Sequence, residues 1–323
     1  MPTTTRRVRA CLVALSAAAL LAAGCGDDDD ASSDDASSDG GSADTTICVG
    51  GEFSTRPDGL PGLEEAYGFE FPAGDITALD EDSLVYSELD GGSCTFGSIF
   101  ATDGRVGALG LTVLDDDEGF FPPFNGSLNV RADVLDDAPE IEEVFAPIAA
   151  ALDDETMVDL NARVDVDGDE PEDVAQEWLD DNDDVVEDVD LSGLSVTVGS
   201  KEFTEQLILG ELTMLVLEGA GADVDDQIGL VGSTTVREAL TSGEIDMYWE
   251  YLGTGWVTYL GNTEGIPDVD EQYEAVRDAD ADNGVVWLEP TPFNNTYAIA
   301  MTDESADELG ITSISEIGEL IDG

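Results

Sequence analysis

The sequence predicts an α/β protein built on parallel strands with helices packed over them, and three observations carry that prediction. Residues 195–198 alternate in a β-branched pattern, and an apolar run over 207–217 follows that suits a buried helix. A second strand and a second helix come next, the helix opening near residues 233–235, whose hydroxyls suit capping. GEIDMYWEY, residues 243–251, then supplies a third strand. This β-α-β-α-β order implies parallel pairing. Ligands in such sheets sit beyond the carboxyl ends of the strands. With the first strand broken at Gly199 and Ser200, Lys201 lies just past its end, and Tyr251 and Thr254 lie just past the third.

Composition bounds the class. A chain of 323 residues can bury a sizeable core in two lobes or domains. Ten basic residues stand against 75 acidic ones, a formal charge of −65, so nucleic acid and anionic lipid are repelled and no nucleic-acid partner is expected. The hydrophobic share of 42% is that of a globular protein, and the charge reads as a solvated coat of the kind that keeps proteins soluble in salt. There is no histidine, which removes the commonest general base and metal ligand. Lys201 is the sole lysine.

Residues 1–24 read as a secretion signal, with Arg6, Arg7 and Arg9 before an apolar core over 11–23 that is short for a membrane span. Leu21-Ala22-Ala23-Gly24-Cys25 resembles a bacterial lipobox, which makes Cys25 the expected lipidated N-terminus. Residues 25–46 form an acidic low-complexity linker with nothing to bury, expected to stay extended by self-repulsion. The folded body would then hang outside the cell membrane, touching it through the lipid anchor only.

Strands are expected at 47–53, 93–99, 109–114, 284–289 and 297–301, and a short helix at 313–320. Cys48 and Cys94 each fall at a predicted strand in an exported chain, which allows a disulfide, with two buried free thiols as the open alternative. Residues 136–179 read as helical, with Ile141, Val144, Phe145, Ile148, Ala149 and Leu152 in a strict apolar stripe. VDVDGDEPED, residues 164–173, fails the spacing of a calcium loop and reads as a turn at Gly168 and Pro171. No metal site and no cofactor are expected. No nucleophile with a base and no phosphate loop is found, so the chain is expected not to be an enzyme.

GSKEFTEQ, GEIDMYWEYLGTG, PFNNTYA, STRPDGLPGLEEAYG, ATDGRV, FFPPF and LNARVDVDGDEPEDVAQEWL together resemble one family, the substrate-binding lipoproteins of ABC importers for glycine betaine, carnitine, choline and related quaternary amines. The resemblance implies a type II periplasmic-binding fold: two α/β lobes, two crossing strands and a ligand in the cleft. In the family the GSK-F-TEQ block comes first and the RPDG, TDGR and VDVDG blocks follow the NNTYA strand. Here residues 47–190 match the later part and 191–323 the earlier part, so the chain resembles a circular permutation joined through 182–194. Truncated tandem copies, or a site completed between two chains, are the other arrangements the order allows. One lobe is expected from 195–295 with helices of about 133–190, the other from 297–323 with 47–124, and the crossings near 124–131 and 294–298.

A quaternary ammonium has no N–H to donate, so shape, ring faces and negative fields must recognise it; each ring contributes about 0.5–2 kcal/mol. The family's box of four tyrosines maps onto Tyr251, Tyr297, Phe100 and Phe124, the last two without hydroxyls. The family's carboxylate partners map onto Arg56 and Lys201, from opposite lobes, with Thr254 assisting. A ligand touching both halves would close them about a hinge. The resemblance thus implies a small-molecule quaternary amine and an ABC permease as partners. A sensor or interaction module of the same fold is the second reading, and a hydrolase the third.

Overall fold

The computed structural model describes residues 45–187, 189–263 and 265–322. The signal segment, Cys25 and the acidic linker up to residue 44 lie outside the described residues.

The chain begins in one lobe, crosses to a second, and returns. The first passage holds β1 (Ile47–Gly50), α1 (Leu60–Tyr67), β2 (Ile76–Leu79), α2 (Ser83–Asp90), β3 (Phe96–Phe100), α3 (Arg105–Ala108) and β4 (Leu111–Val113). The second lobe holds β5 (Gly126–Arg131), α4 (Ala132–Asp137), α5 (Glu140–Ala151), α6 (Asp154–Ala162), α7 (Pro171–Asp181), β6 (Ser195–Lys201), α8 (Thr204–Gly219), β7 (Asp223–Leu230), α9 (Ser233–Ser242), β8 (Met247–Tyr251), α10 (Leu252–Thr254), α11 (Val269–Asp280) and β9 (Val285–Trp287). The chain then returns through β10 (Tyr297–Thr302), α12 (Asp303–Leu309) and α13 (Ser315–Asp322). Cys48 and Cys94 form a disulfide that staples β1 to the segment entering β3, with Cα atoms 5.7 Å apart. We call the two bodies the disulfide lobe and, after Lys201, the lysine lobe.

Both sheets follow one plan. The first runs β2-β1-β3-β10-β4 and the second β7-β6-β8-β5-β9. In each, three strands pair in parallel, and the fourth, reached by crossing from the other lobe, pairs antiparallel. The parallel pairing expected for the strands at 195–201, 223–230 and 247–251 is present, and the strands that cross from the other lobe make both sheets mixed. β5 falls where a crossing strand is expected, near 124–131: residues 126–131 are sealed on both sides by β8 and β9, and the register sets Gly126 against Tyr251. The crossings proper are residues 114–125 and 288–296, and they bridge each other at Asn125 and Asn294.

Three other expectations change. The first strand of the lysine lobe does not stop at Gly199: it runs through Lys201 with a register irregularity between those two residues. Gly199 is needed there because a Cβ would lie 2.5 Å from Ile245. Residues 136–179 are helical as expected, in several helices, and the turn expected at Gly168 follows a π-helical stretch over Arg163–Asp167, with Gly168 at φ 82°. The C-terminal helix starts at Ser315, and α12 precedes it, with Thr302 accepting from the Ser305 N–H as its cap. Finally, α9 has no hydroxyl cap of its own: Gly232 precedes it at φ 83°, and the acceptor for its first N–H is Glu52 of the other lobe. The apolar stripe of α5 behaves as expected, with Ile141, Val144, Phe145, Ile148 and Ala149 buried.

Candidate functional site

A cavity of about 610 Å³ lies between the lobes. Phe100, Phe124, Tyr251, Tyr297, Arg56, Lys201 and Thr254 all line it. The strand ends explain the convergence. Phe100 closes β3, Tyr297 opens β10 directly opposite it in register, Tyr251 closes β8 and Lys201 closes β6. Phe124 arrives on the crossing, where Gly253 has no side chain to obstruct its ring; a Cβ there would sit 2.6 Å away.

The rings form a chain. Phe124 meets Tyr297 edge-on at 5.6 Å, and Tyr297 meets Phe100 at 5.0 Å. Phe203, in the GSKEF segment, stacks on Phe100 at 5.5 Å and on Tyr251 at 6.3 Å, linking the two lobes' rings. The sequence reading quoted Phe203 without assigning it a role; its place in a matched motif one residue before α8 was the available signal.

Cations already lie near these rings. The Arg56 guanidinium is 5.5 Å from the Tyr297 ring centre and 6.0 Å from that of Phe124, and the Lys201 ammonium is 5.2 Å from Tyr251. Each of these cations is paired within the protein. Arg56 is bidentate to Asp58 at 2.8 and 2.6 Å and reaches Thr254 at 3.4 Å across the cleft. Lys201 donates to Glu250 at 2.6 Å. Glu250, fully buried, also accepts from the hydroxyls of Tyr248 and Tyr259 and from the Tyr251 N–H. Such a pair tolerates burial because every oxygen has donors.

A second buried carboxylate ties the lobes together. Glu205 accepts from Tyr251 at 2.7 Å, from Asn295 at 2.8 Å, from Asn161 at 3.1 Å and, across the cleft, from Thr102 at 2.6 Å. Burial raises its pKa and these donors oppose the rise. The Tyr251 hydroxyl also accepts from Gln206, so both its hydrogen-bonding directions are used by its own lobe. Near the mouth, Glu52 accepts from the Ser233 N–H and Oγ at 2.8 and 2.9 Å. Burial would raise the Glu52 pKa, but Lys201, Ser233 and Arg56 hold it below its ordinary value. Asp82 is pushed up to about 6 by burial and by Glu52 and Glu202. With Gly104 set so tightly that a Cβ would fall 2.4 Å from Ala162, the lobes are closed on each other. Among the described residues, no group of three acidic or cysteine side chains could hold a metal ion, and no helix is long and apolar enough to cross a membrane.

A family model, the substrate binding domain of ABC-type glycine betaine transport systems, matches residues 31–181 and 195–322. The chain belongs to that family. This is a family of solute-binding domains and not of enzymes. A glycine-betaine-binding protein of Pseudomonas aeruginosa is 42% identical over 127 residues, which are 39% of this chain and 40% of that protein. The glycine betaine-binding protein YehZ of Escherichia coli is 34% identical over 128 residues, 39% of this chain and 42% of that protein. The chain thus aligns with less than half the length of these relatives. A solved structure of a glycine betaine/carnitine/choline ABC transporter is 28% identical, the match covers 45% of this chain and 53% of that one, and the two superpose with a TM-score of 0.36.

Proposed function

We propose that this family member is the extracytoplasmic solute-binding protein of an ABC importer, that it binds a quaternary ammonium solute, and that it delivers that solute to a permease. The observation that carries the reading is the convergence of four rings, Arg56, Lys201 and Thr254 from both lobes on one cavity. Ring faces attract a methylated cation that cannot donate a hydrogen bond. Lobes that meet through Glu52, Thr102 and Arg56 supply the closed form a permease would read. In this reading Cys25 carries a lipid and the acidic linker holds the body off the outer face of the membrane. Calorimetric titration of the mature protein with glycine betaine, carnitine and choline tests it: heat of binding is expected with at least one, and none with all three sinks it.

The permuted segment order is part of the same proposal. The family match breaks at residues 182–194, which is where the ordinary chain ends would be joined, and single alignments to relatives span only about 39% of the chain. In this order residues 47–190 are the family's later part and 191–323 its earlier part.

A sensory role is the second reading, favoured by one relative. A chemotactic signal transduction substrate-binding protein, CosB of Halobacterium salinarum, is 27% identical over 127 residues. Stimulation of solute uptake by the purified protein in permease-containing vesicles would favour import; a ligand-dependent complex with a transducer alone would favour sensing.

A further inference from the structure

Closure of the lobes brings like charges together at the start of α9. Glu202 follows Lys201 at the end of β6, and its two oxygens accept from the Gly232 N–H at 3.2 and 3.1 Å. Glu52 reaches over from the disulfide lobe and accepts from the next N–H, that of Ser233. Two carboxylates from opposite lobes thus end on adjacent N–H groups. Asp82, which also lines the cavity, is the third. It lies over Gly50, two residues before Glu52, so closely that a Cβ there would fall 1.5 Å from its Oδ1. Its raised pKa reflects burial and then the charges of Glu52 and Glu202. Lys201 and Arg56 act on Glu52, but each is paired, with Glu250 and with Asp58.

The other place where acids of the two lobes meet is built differently. Arg105 bridges Asp103 of the disulfide lobe and Asp165 of the lysine lobe, bidentate to the first and 3.7 Å from the second. A cation separates those charges, whereas at α9 the carboxylates converge with no arginine or lysine ion-paired to Glu202 or Asp82 among the described residues. Glu202 is exposed and the Glu52 side chain is 38% exposed, so counter-ions reach both. Salt weakens repulsion between such charges, and acts less on a contact already buried.

We propose that Glu202 and Glu52 make closure of the lobes salt-dependent: their like charges hold the cleft open at low ionic strength, and screening lets Glu52 reach α9 so that the solute is retained. Both are positioning residues, acting on the solute through the lobes. The proposal rests on the solute-binding reading above. A solute without net charge reports it, because screening then acts on the protein's own charges.

Titration of the mature protein with glycine betaine near pH 8, from about 0.1 M to about 1 M potassium chloride, tests this; the Debye length falls from about 10 Å to about 3 Å over that range. Circular dichroism confines the comparison to salt at which each protein is folded. Affinity is expected to rise about fivefold or more in the unaltered protein, and less than about twofold in Glu202→Gln, which keeps an oxygen for the Gly232 N–H and loses the charge. Asp82→Asn should flatten the rise likewise. A merely structural role for Glu202 would leave the salt slope unchanged. Small-angle scattering without solute reads the lobe separation: the unaltered protein should contract with salt more than Glu202→Gln does, and the residues before 45, common to both, cancel. Affinity that stays flat or falls with salt in the unaltered protein overturns the inference, as does an unchanged slope in both variants; either result leaves the solute-binding reading standing. If glycine betaine, carnitine and choline all fail to bind, that reading falls, and the scattering comparison alone decides the inference.

Discussion

The two lobes present opposite kinds of wall to one cavity. The lysine lobe offers a ring locked by polar ties: Tyr251 is held through its hydroxyl by Glu205 and Gln206, and Lys201 beneath it is held by Glu250. The disulfide lobe offers rings held by other rings: Tyr297 packs on Phe53, Phe100 and Phe124, and no hydrogen bond from its hydroxyl is found among the described residues. The difference teaches how one binding site can be both pre-organised and adjustable. Hydrogen bonds in a dry interior fix geometry, because leaving one unmade is costly. Ring contacts are less directional and allow small shifts about a ligand.

The sharpest way to break the contrast is at Lys201. Lys201→Met leaves the Glu250 charge buried, and a loss of about 3–5 kcal/mol in unfolding free energy is expected by denaturant titration in salt. Adding Glu250→Gln should restore most of it. In the disulfide lobe the corresponding anchor is covalent. Its strands come from both ends of the described chain, and the disulfide closes a separation of 46 residues. Replacing Cys48 and Cys94 by alanine should cost about 4 kcal/mol by loop-closure entropy, with the loss localised to that lobe by hydrogen exchange.

The matched pair Tyr251→Phe and Tyr297→Phe sharpens the comparison directly. Removing the Tyr251 hydroxyl takes one of four donors from Glu205 and leaves the Gln206 N–H without its acceptor, and should cost about 1–3 kcal/mol. Removing that of Tyr297 should change stability by less than about 0.5 kcal/mol. Equal effects in thermal denaturation would show that the two walls are not held differently.

The smallest expected effect is in pH dependence. Asp82 has a raised pKa, from an ordinary 3.8 to about 6, through burial and the charges of Glu52 and Glu202. A raised carboxyl favours the folded state when protonated, so its contribution is complete below about pH 4 and lost as pH rises through about 6. Asp82→Asn should therefore gain stability relative to the unaltered protein over that window. Glu211, pushed up to about 7 by burial and by Glu172, titrates in both proteins and cancels in the comparison. A bound cation should hold Asp82 ionised, so choline affinity is expected to rise from pH 5 to pH 7 and to flatten in Asp82→Asn.

Several of these features are visible in the linear chain. The strand-end residues Lys201, Tyr251 and Thr254 were placed near one rim by β-α-β order alone, and the matched motifs added Arg56, Phe100, Phe124 and Tyr297. The helix α12, not among the expected elements, carries the same kind of local signal: Thr302 caps it three residues before Ser305, and Gly310 stands just past its end. β5 was legible only through the resemblance, which implied a crossing strand near 124–131. GSLNVR alone is too short to declare itself, and it becomes a strand because β8 and β9 offer it partners on both edges. The room at Gly199 is set by Ile245, which is 46 positions away in the loop before β8.

What the sequence determined by itself is the set of short-range decisions: the periodicity of α5 and α8, the strand that ends at Tyr251, the excess of acid and the chemistry of rings and basic groups. Periodicity and side-chain type act within a few residues and can be read in order. Only the tertiary structure decided that Arg56 and Lys201 are already paired, that Glu52 caps a helix in the opposite lobe, and that Phe203 joins the two sets of rings. Those outcomes are set by which charges and faces meet when the lobes close, and Coulomb forces and packing act on distance in space, whatever the separation along the chain.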